Sequence, residues 1–239
     1  MAKRLFDVVL SLTALVILSP LLLAAAIGIR LASGSPVFYK SRRIGRHGSE
    51  FVMHKFRTMH INRDSESLIT GTHDLRVFPL GRFLRALKID ELPQLFDILA
   101  GRMSIVGPRP EVPAIVEKHY GPLGHDTLQV LPGLASPGSL FHYTHGQLLI
   151  DDADPESSYV RRLLPVKLAL ELIYVQNMSF ATDLRIIFRT LVTIVAVLCG
   201  RTQFNVLPEL KMAQELVHRN PGGFTRDSLP ASSMNTLEV

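Results

Sequence analysis

An uncharged stretch near the start of the chain limits the possible architectures more than any other feature. Residues 8–29 run for 22 positions without a formal charge, and most of them are Val, Leu, Ile or Ala. A straight helix of this length covers ~33 Å, enough for the hydrocarbon core of a bilayer. A single spanning anchor is therefore one interpretation. A cleaved signal peptide fits less well, because the stretch is long for one and basic residues follow it.

Two features of this stretch favour a re-entrant path over a simple span. Ser19-Pro20 lies near its middle, and Pro20 lacks an N–H and clashes with the preceding turn, so a sharp bend is expected. Positive charge marks the cytoplasmic side of a membrane helix, and each half, of about 16 and 11 residues, is too short to cross alone. The sequence predicts a helix–break–helix whose two ends share one side. Basic residues flank both ends, namely Lys3 and Arg4 before it and Arg30, Lys40, Arg42, Arg43 and Arg46 after it.

Composition narrows the classes of partner. The formal charge is +5, which favours an anionic partner such as anionic lipid, a phosphorylated substrate or nucleic acid. Nucleic acid is the weakest of these, because the basic residues adjoin the apolar segment. The single cysteine, Cys199, excludes an intramolecular disulfide framework and a metal site built from several cysteines.

The basic segment 37–59 contains two short stretches that resemble strands, around a turn with Gly45 and Gly48. Its six Lys and Arg residues face a single acid. Two interpretations stay open at this point. The segment either touches anionic headgroups beside the membrane, or it also recognises phosphate. The candidates for phosphate recognition are Arg43, Lys55 and Arg57.

The segment 80–100 carries the strongest local pattern. Arg82, Arg85 and Lys88 recur every three residues, which predicts one basic stripe along a helix. Asp90 and Glu91 follow directly. Such a pair often does no more than cap a helix. Beside a basic stripe, an ionised Asp with a divalent cation and a phosphate also makes a workable phosphoryl-transfer centre.

A new helix is predicted to begin at Asp90. Asp is a good N-cap residue, and Pro93 is tolerated in a first helical turn. Gly101 is the expected stop signal. The apolar face of this helix is predicted to comprise Leu92, Leu95, Phe96 and Leu99.

The motif Pro108-Arg109-Pro110 holds an arginine between two rings that restrict the backbone. Such an arm could present Arg109 rigidly to a phosphate or a base. A rigid linker with a solvated arginine is the alternative.

The second half of the chain gives weaker signals. Residues 160–178 are predicted to form an amphipathic helix offset at Pro165, and residues 183–199 a helix that lies in the membrane interface or packs in the core. His142 and His145 belong to no recognisable ligand pattern and are interpreted as ordinary. Residues 219–239 are rich in Gly, Pro, Ser and Asn, so disorder is expected.

From about residue 3 to 195 the sequence resembles the bacterial sugar transferases, the monotopic phosphoglycosyl transferases. The resemblance rests on KRLFD with Ser19-Pro20, RIGRHGSEFVMHKFRTM, LGRFLRALKIDELPQLFDILAGRMSIVGPRP and YVQNMSFATDLRIIFRT. It implies an α+β fold that is mostly helical, with a re-entrant membrane helix broken at Ser19-Pro20, a small β-hairpin and interfacial amphipathic helices around a cytoplasmic catalytic core. The expected divisions are 1–34, a catalytic domain at 35–205, and a C-terminal extension at 206–239.

The resemblance also implies roles for individual residues. Asp90 matches the covalent nucleophile of the family, and Glu91 matches a partner with an acid–base or metal-orienting role. Arg85 resembles the contact to the polyprenyl phosphate, and Arg109 a contact to the nucleotide. Magnesium is the implied cofactor, with Asp90 and Glu91 as its ligands.

The implied activity transfers a sugar-1-phosphate from a UDP-sugar to undecaprenyl phosphate and releases UMP, at the cytoplasmic face of the bacterial inner membrane. The implied partners are these two substrates and membrane lipids, without nucleic acid; homo-oligomerisation stays open. Two alternatives remain, a peripheral glycosyltransferase that releases UDP and a non-catalytic basic scaffold on the membrane. The sequence departs from the family at PGLASPGSLFHY, at Ser41 and at Arg102, which puts the identity of the sugar in doubt.

Overall fold

The fold is mostly helical, with two small sheets. A computed structural model describes residues 2–61, 74–151 and 153–226. The helices are α1 (Ala2–Ser33), α2 (Pro79–Ala86), α3 (Gln94–Leu99), α4 (Pro113–His119), α5 (Pro122–Asp126), α6 (Pro137–Thr144), α7 (Pro155–Ser158), α8 (Leu164–Gln176), α9 (Phe180–Leu198) and α10 (Leu210–Arg219). The strands are β1 (Phe38–Ile44), β2 (Glu50–Phe56), β3 (Ser104–Val106) and β4 (Gly133–Ala135).

Helix α1 contains the whole uncharged stretch. Helical conformation runs through Pro20, so the expected interruption is not seen. One missing N–H donor can be absorbed inside a helix when nearby groups satisfy the backbone, and the Ser19 hydroxyl donates to the Val16 carbonyl at 2.8 Å. Among the described residues, α1 is the one helix long and apolar enough to cross a membrane.

Both ends of α1 pack against the rest of the chain. Near the N-terminus, Asp7 is buried and accepts hydrogen bonds from the Ser104 hydroxyl and the Ile105 amide. Near the C-terminus, Ala25 and Ile29 are buried in an apolar cluster with α2 and β2. The middle is open, since Val16 and Ile17 are 67% and 68% exposed.

The predicted hairpin is confirmed. Strands β1 and β2 pair antiparallel from Phe38 opposite Phe56 to Ile44 opposite Glu50. The connection is tight because His47 and Gly48 both adopt positive φ, at 57° and 76°. Gly48 thus lies where the turn needs a glycine, whereas Gly45 has an ordinary φ of −109°.

A parallel pair, β3 with β4, leads the chain to the Pro-Arg-Pro motif. Ser104 pairs with Gly133 and Val106 with Ala135. A Cβ on Gly133 would lie 2.1 Å from the Gly107 nitrogen, so a glycine is needed for this close approach. The pairing fixes where residues 108–110 leave the sheet.

Helix α8 is central and buried, which corrects the amphipathic prediction for residues 160–178. Every residue from Leu164 to Tyr174 is buried, including Lys167 and Glu171. Each of these two charged residues has a buried partner, Glu111 for Lys167 and Ser136 for Glu171. The offset at Pro165 appears as a π-helical turn, Tyr159–Leu163, directly before α8.

Part of the expected C-terminal extension packs on the core. Leu210, Ala213 and Val217 of α10, together with Phe224, belong to the buried cluster around α8. Disorder was expected over residues 219–239, and this is wrong for 219–226, where Phe224 and Thr225 are buried. Residues 227–239 lie outside the described residues. The domain division at 34 and 205 stays a prediction.

Candidate active site

The Asp90-Glu91 pair lies in a single 3-10 turn, Ile89–Glu91, between α2 and α3. Helix α3 begins only at Gln94, and Asp90 makes no capping contact to it, which corrects the prediction of a helix start at Asp90. The reason lies in the hydrogen bonds, since the Glu91 amide bonds to the Lys88 carbonyl and the Leu92 amide to the Ile89 carbonyl, both three residues back.

The buried face of α3 differs from the predicted one. Leu95 and Ile98 are buried, whereas Phe96, predicted to face inward, is 54% exposed. The predicted stop is correct, because Gly101 adopts φ 79° just after the helix.

The basic stripe is also shorter than predicted. Arg82 and Arg85 lie in α2, but Lys88 falls outside it in a left-handed conformation, with φ 58°. Lys88 therefore begins the turn that carries Asp90.

Asp90 is the more buried member of the pair. Its side chain belongs to a residue only 7% exposed, and its Oδ1 atom has no hydrogen-bond partner. Burial and the charge of Glu91 raise the pKa of Asp90, while Lys55, Lys88 and Arg85 oppose that rise. The arrangement leaves one buried carboxylate oxygen without a hydrogen-bond partner in a strongly basic surrounding.

Glu91 is held by two cations. Lys55 Nζ lies 3.1 Å and Arg109 Nη2 lies 2.6 Å from Glu91 Oε1. Burial alone would raise the pKa of Glu91, but Arg109 and Lys55 outweigh it and the pKa falls below its ordinary value. Burial also lowers the pKa of Lys55 to about 8. Glu91 is thus kept ionised.

Arg109 reaches the pair from the Pro-Arg-Pro arm, so the solvated linker is excluded. Its Nη1 donates to Gln94 Oε1 at 3.2 Å and to the Leu134 carbonyl at 3.4 Å. Its backbone amide donates to Glu171 Oε1 at 3.2 Å. Arg109 thereby connects the dyad region with α3, β4 and α8.

Unsatisfied buried atoms concentrate around Arg109. Among the described residues, six buried side-chain N or O atoms have no hydrogen-bond partner. Three of them are Asp90 Oδ1, Gln94 Nε2 and Glu171 Oε2, which belong to the nucleophile candidate and to two residues bonded to Arg109. Buried polar atoms are normally paired, so such a concentration marks a place for water, an ion or a ligand.

Two further predicted cations, Arg85 and Arg43, contact different neighbours of the dyad. Arg85 donates to the Thr58 hydroxyl at 2.8 Å, and its charge acts on Asp90. Arg43 Nη1 lies 3.8 Å from Glu111 Oε2, beside the Pro-Arg-Pro arm.

The Arg57 side chain binds backbone carbonyls at the end of α1. Its Nη2 donates to the Ser33 and Gly34 carbonyls, at 2.8 and 2.7 Å. It therefore binds the C-terminal end of α1, and no contact described for it reaches the dyad. Phosphate recognition by Arg57 stays a prediction.

Several residues at the site were missed by sequence reasoning. Tyr143 was passed over, yet Lys88 Nζ lies 4.5 Å from the centre of its ring and its hydroxyl donates to the Ala86 carbonyl. Lys167 and Glu171 were also not identified as candidates. A signal existed, because two charges one turn apart inside the apolar run LPVKLALELIY are unusual for a helix of this hydrophobicity.

The donor set suits a cation that relies on its substrate for ligands. In the part of the chain that the structure describes, no group of three or more His, Cys, Asp or Glu side chains is placed to hold a metal ion. Asp90 and Glu91 offer two carboxylates, and the buried Asp90 Oδ1 has no hydrogen-bond partner. Mg²⁺ is commonly held by one or two carboxylates with water and substrate phosphates, so the pair fits this ion.

Comparison with known proteins places the chain. Residues 1–197 match the family described as bacterial sugar transferase. The chain belongs to the bacterial sugar transferase family. It is 37% identical over 198 residues to a UDP-glucose:undecaprenyl-phosphate glucose-1-phosphate transferase of Xanthomonas campestris pv. campestris, which covers 81% of this chain and 38% of that protein.

The share of a relative's length that aligns with this chain varies from one relative to the next. The exopolysaccharide production protein ExoY of Rhizobium meliloti is 36% identical over 207 residues, 80% of this chain and 84% of that protein. A UDP-N-acetylgalactosamine-undecaprenyl-phosphate N-acetylgalactosaminephosphotransferase of Aeromonas hydrophila is 33% identical, over 80% of this chain and 43% of that protein. The chain thus spans only about two-fifths of the length of the Xanthomonas and Aeromonas relatives.

The segment PGLASPGSLFHY, which is expected to depart from the family pattern, lies at the site. It forms β4 and α6, and it supplies Ser136, Gly138 and Tyr143. The Ser136 hydroxyl donates to Glu171 Oε1 at 2.6 Å. This segment therefore contacts Lys88, Arg109 and Glu171.

Proposed function

We propose that this bacterial sugar transferase moves a sugar-1-phosphate from a UDP-sugar to undecaprenyl phosphate and releases UMP. The observation that carries the proposal is the buried Asp90, with one unpartnered carboxylate oxygen, beside a Glu91 held by Lys55 and Arg109. The names of the Xanthomonas and Aeromonas relatives support the two substrate classes. The sugar is left open, because those names include both glucose and N-acetylgalactosamine.

The chemistry follows from the Asp90 carboxylate. Its free oxygen attacks the phosphorus that bears the sugar, and the bond from this phosphorus to the oxygen of the UMP leaving group breaks. A phosphosugar on Asp90 remains. An oxygen of the polyprenyl phosphate then attacks the same phosphorus and releases Asp90. Each step exchanges one P–O bond for another, and the products are UMP and polyprenyl diphosphate-sugar.

The charged neighbours explain how a buried carboxylate can act. Burial favours the neutral form of Asp90, which is a poor nucleophile, but Lys55, Lys88 and Arg85 favour the ionised form. The same cations suit the negative charge of a diphosphate. A Mg²⁺ bound by Asp90 and Glu91 would neutralise further charge on the diphosphate. Arg109 and Lys55 hold Glu91 in place meanwhile.

A re-entrant path of α1 is part of the proposal. Its N-terminal end is tied to the body of the chain, where Lys3 Nζ lies 2.5 Å from Asp183 Oδ2 and Arg4 donates to the Ile98 carbonyl at 2.6 Å. Its C-terminal end is tied by Arg57 to the Ser33 carbonyl. Two ends held by one body, with an exposed apolar middle, fit a helix that bends at Pro20 while staying helical, dips into the cytoplasmic leaflet of the inner membrane and returns.

Helix α9 supports placement at the membrane surface. Its exposed apolar residues recur at alternating spacings of four and three, which gives one apolar stripe. A helix of this kind can lie in the interface with the stripe in lipid. The Asp90 site would then sit near headgroup depth, where a lipid-borne phosphate and a water-soluble nucleotide sugar can meet. The stripe comprises Leu184, Phe188, Leu191, Val195 and Leu198.

The test is product analysis with purified protein in lipid nanodiscs. Undecaprenyl phosphate and a panel of UDP-sugars are supplied with Mg²⁺, and the nucleotide released is identified by chromatography. We expect UMP with at least one donor, and loss of release when EDTA removes the metal. Release of UDP would favour a glycosyltransferase that passes the sugar without its phosphate. Absence of turnover with every donor would favour a non-catalytic scaffold.

A further inference from the structure

Helix α8 carries two charged side chains in a fully buried environment, and both are engaged by one short segment. Lys167 Nζ bonds to Glu111 Oε1, and Glu171 Oε1 accepts the amide of Arg109. One turn further, the Tyr174 hydroxyl donates to the Val106 carbonyl at 3.1 Å. Positions 167, 171 and 174 of one helix face therefore hold positions 111, 109 and 106 in order.

The ion pair at the top of this face is enclosed. Lys167 and Glu111 are 3% and 6% exposed. The Tyr159 hydroxyl also bonds to Glu111, and Lys167 Nζ lies 2.9 Å from that hydroxyl. Burial raises the pKa of Glu111, but Lys167 and Arg43 overcome this and lower it to about 2. Glu111 is thus a charged anchor directly after Pro110.

Burying an ion pair is costly, and a hydrophobic pair of similar volume is often as stable. The stability of the core therefore gives no sufficient reason for Lys167 and Glu111. The geometry gives a reason for the Lys167–Glu111 pair, because Glu111 is two residues from Arg109 along a chain stiffened by Pro110. Fixing the Glu111 carboxylate fixes where the Arg109 side chain can reach.

Close packing from α6 restricts the same face. A Cβ on Gly138 would lie 2.5 Å from Glu171 Oε1 and 2.8 Å from Lys167 Cγ. Neither side chain has room to shift towards α6. The arm is thus held on a rigid surface, and its arginine meets Glu91 at 2.6 Å.

We propose that Lys167, through its ion pair with Glu111, is a positioning residue that sets where Arg109 stands at the active site. This inference rests on the proposed function. Lys167 touches neither the dyad nor the donor, so its effect passes through Arg109. It acts on the donor step, and the carrier phosphate is bound without it.

The test is a set of variants assayed for UMP release. Lys167→Met is compared with Lys118→Met, a control at an exposed lysine of α4. Because Lys167→Met alone leaves Glu111 charged, the double variant Glu111→Gln/Lys167→Met serves if the single one does not fold. We expect KM for the UDP-sugar to rise about 10-fold, the scale of one misplaced charge-assisted contact, with KM for undecaprenyl phosphate unchanged.

Epistasis with Arg109 separates positioning from a general loss of structure. If Lys167 acts through Arg109, then Arg109→Ala/Lys167→Met has the same kcat/KM for the donor as Arg109→Ala alone. A further loss in the double variant would overturn the proposal, as would a folded Lys167 variant with an unchanged KM for the donor.

Hydrogen exchange tests the clamp without turnover. Peptides covering residues 107–111 should exchange faster in the Lys167→Met protein than in the Lys118→Met protein, since Glu111 loses its ion pair with Lys167 and the segment is then held on α8 by fewer contacts. Equal exchange would overturn the clamp. If the unmodified chain releases no UMP from any UDP-sugar, the proposed function fails, while this comparison still decides whether Lys167 holds the arm.

Discussion

Arg109 Nη2 lies 2.6 Å from Glu91 Oε1, which links a proline-bounded arm to the acidic pair across 18 residues of chain. The bond is charge-assisted and largely buried, so it is among the stronger side-chain contacts of the site. It gives the Pro-Arg-Pro motif a position that the sequence alone left open.

Arg109→Ala is expected to lower kcat/KM for the UDP-sugar by roughly 10²-fold, the scale of one lost donor at a transition state. Glu91 would keep only its contact to Lys55, and the donor would lose a nearby cation. Initial rates of UMP release measure the effect. The matched control is Arg162→Ala, at an exposed arginine away from the site, and it should retain full activity. Equal rates for the two variants would contradict the role given to Arg109.

Asp7 is expected to stabilise the docking of α1. It is 2% exposed and accepts bonds from the Ser104 hydroxyl at 2.8 Å and the Ile105 amide at 3.1 Å. Asp7→Ala leaves two buried donors unpaired, so we expect a loss of about 2–4 kcal/mol in the free energy of unfolding. Thermal unfolding in micelles is the measurement, with Asp126→Ala at an exposed position as control. An unchanged midpoint for Asp7→Ala would show that this contact does not hold the helix.

Acid should destabilise the fold in part through His142. Burial lowers the pKa of His142 to about 3. Below pH 6.5, the ordinary pKa of histidine, His142 is therefore protonated in the unfolded chain but stays neutral in the folded chain. Stability therefore falls as pH drops from 6.5 towards 3, by at most ~1.4 kcal/mol per pH unit from this group.

The comparison of the unmodified chain with His142→Gln isolates that contribution. Unfolding midpoints at pH 7.5 and pH 5.0 should differ less in the variant, because glutamine does not titrate. Other groups, such as Glu171 with its pKa raised to about 7 by burial, act alike in both proteins. The same shift in both would exclude His142 as a source of acid sensitivity.

The path of α1 can be read from labelling. In a Cys199→Ser background, Ala2→Cys and Lys40→Cys place exposed thiols before and after the helix. An impermeant maleimide should label both in inverted inner-membrane vesicles and neither in intact spheroplasts. Labelling of the two positions from opposite sides would establish a spanning anchor instead.

Local sequence patterns correctly predicted those parts of the fold that depend on residues close together in the chain. The hairpin followed from strand-forming residues around Gly45 and Gly48, and α1 followed from its uncharged run. Both signals lie within a few dozen residues, and the structure has the hairpin with Phe38 opposite Phe56.

Long-range partners explain what the sequence did not reveal. Lys167 and Glu171 look like the polar face of a surface helix until their partners, 56 and 62 residues away, are known. The position of Arg57 at the end of α1 depends likewise on a distant carbonyl. At the dyad the error was local, because three-residue hydrogen bonds displaced the helix start from Asp90 to Gln94.

The most direct measurement is the mass of the protein after incubation with donor alone. With UDP-sugar and Mg²⁺ but no undecaprenyl phosphate, we expect a phosphosugar adduct that peptide mapping assigns to Asp90, and none on Asp90→Asn, which should also lose at least ~10³-fold in turnover. Adding undecaprenyl phosphate should remove the adduct. Donor consumption with no adduct on Asp90, or an active Asp90→Asn enzyme, would contradict the account.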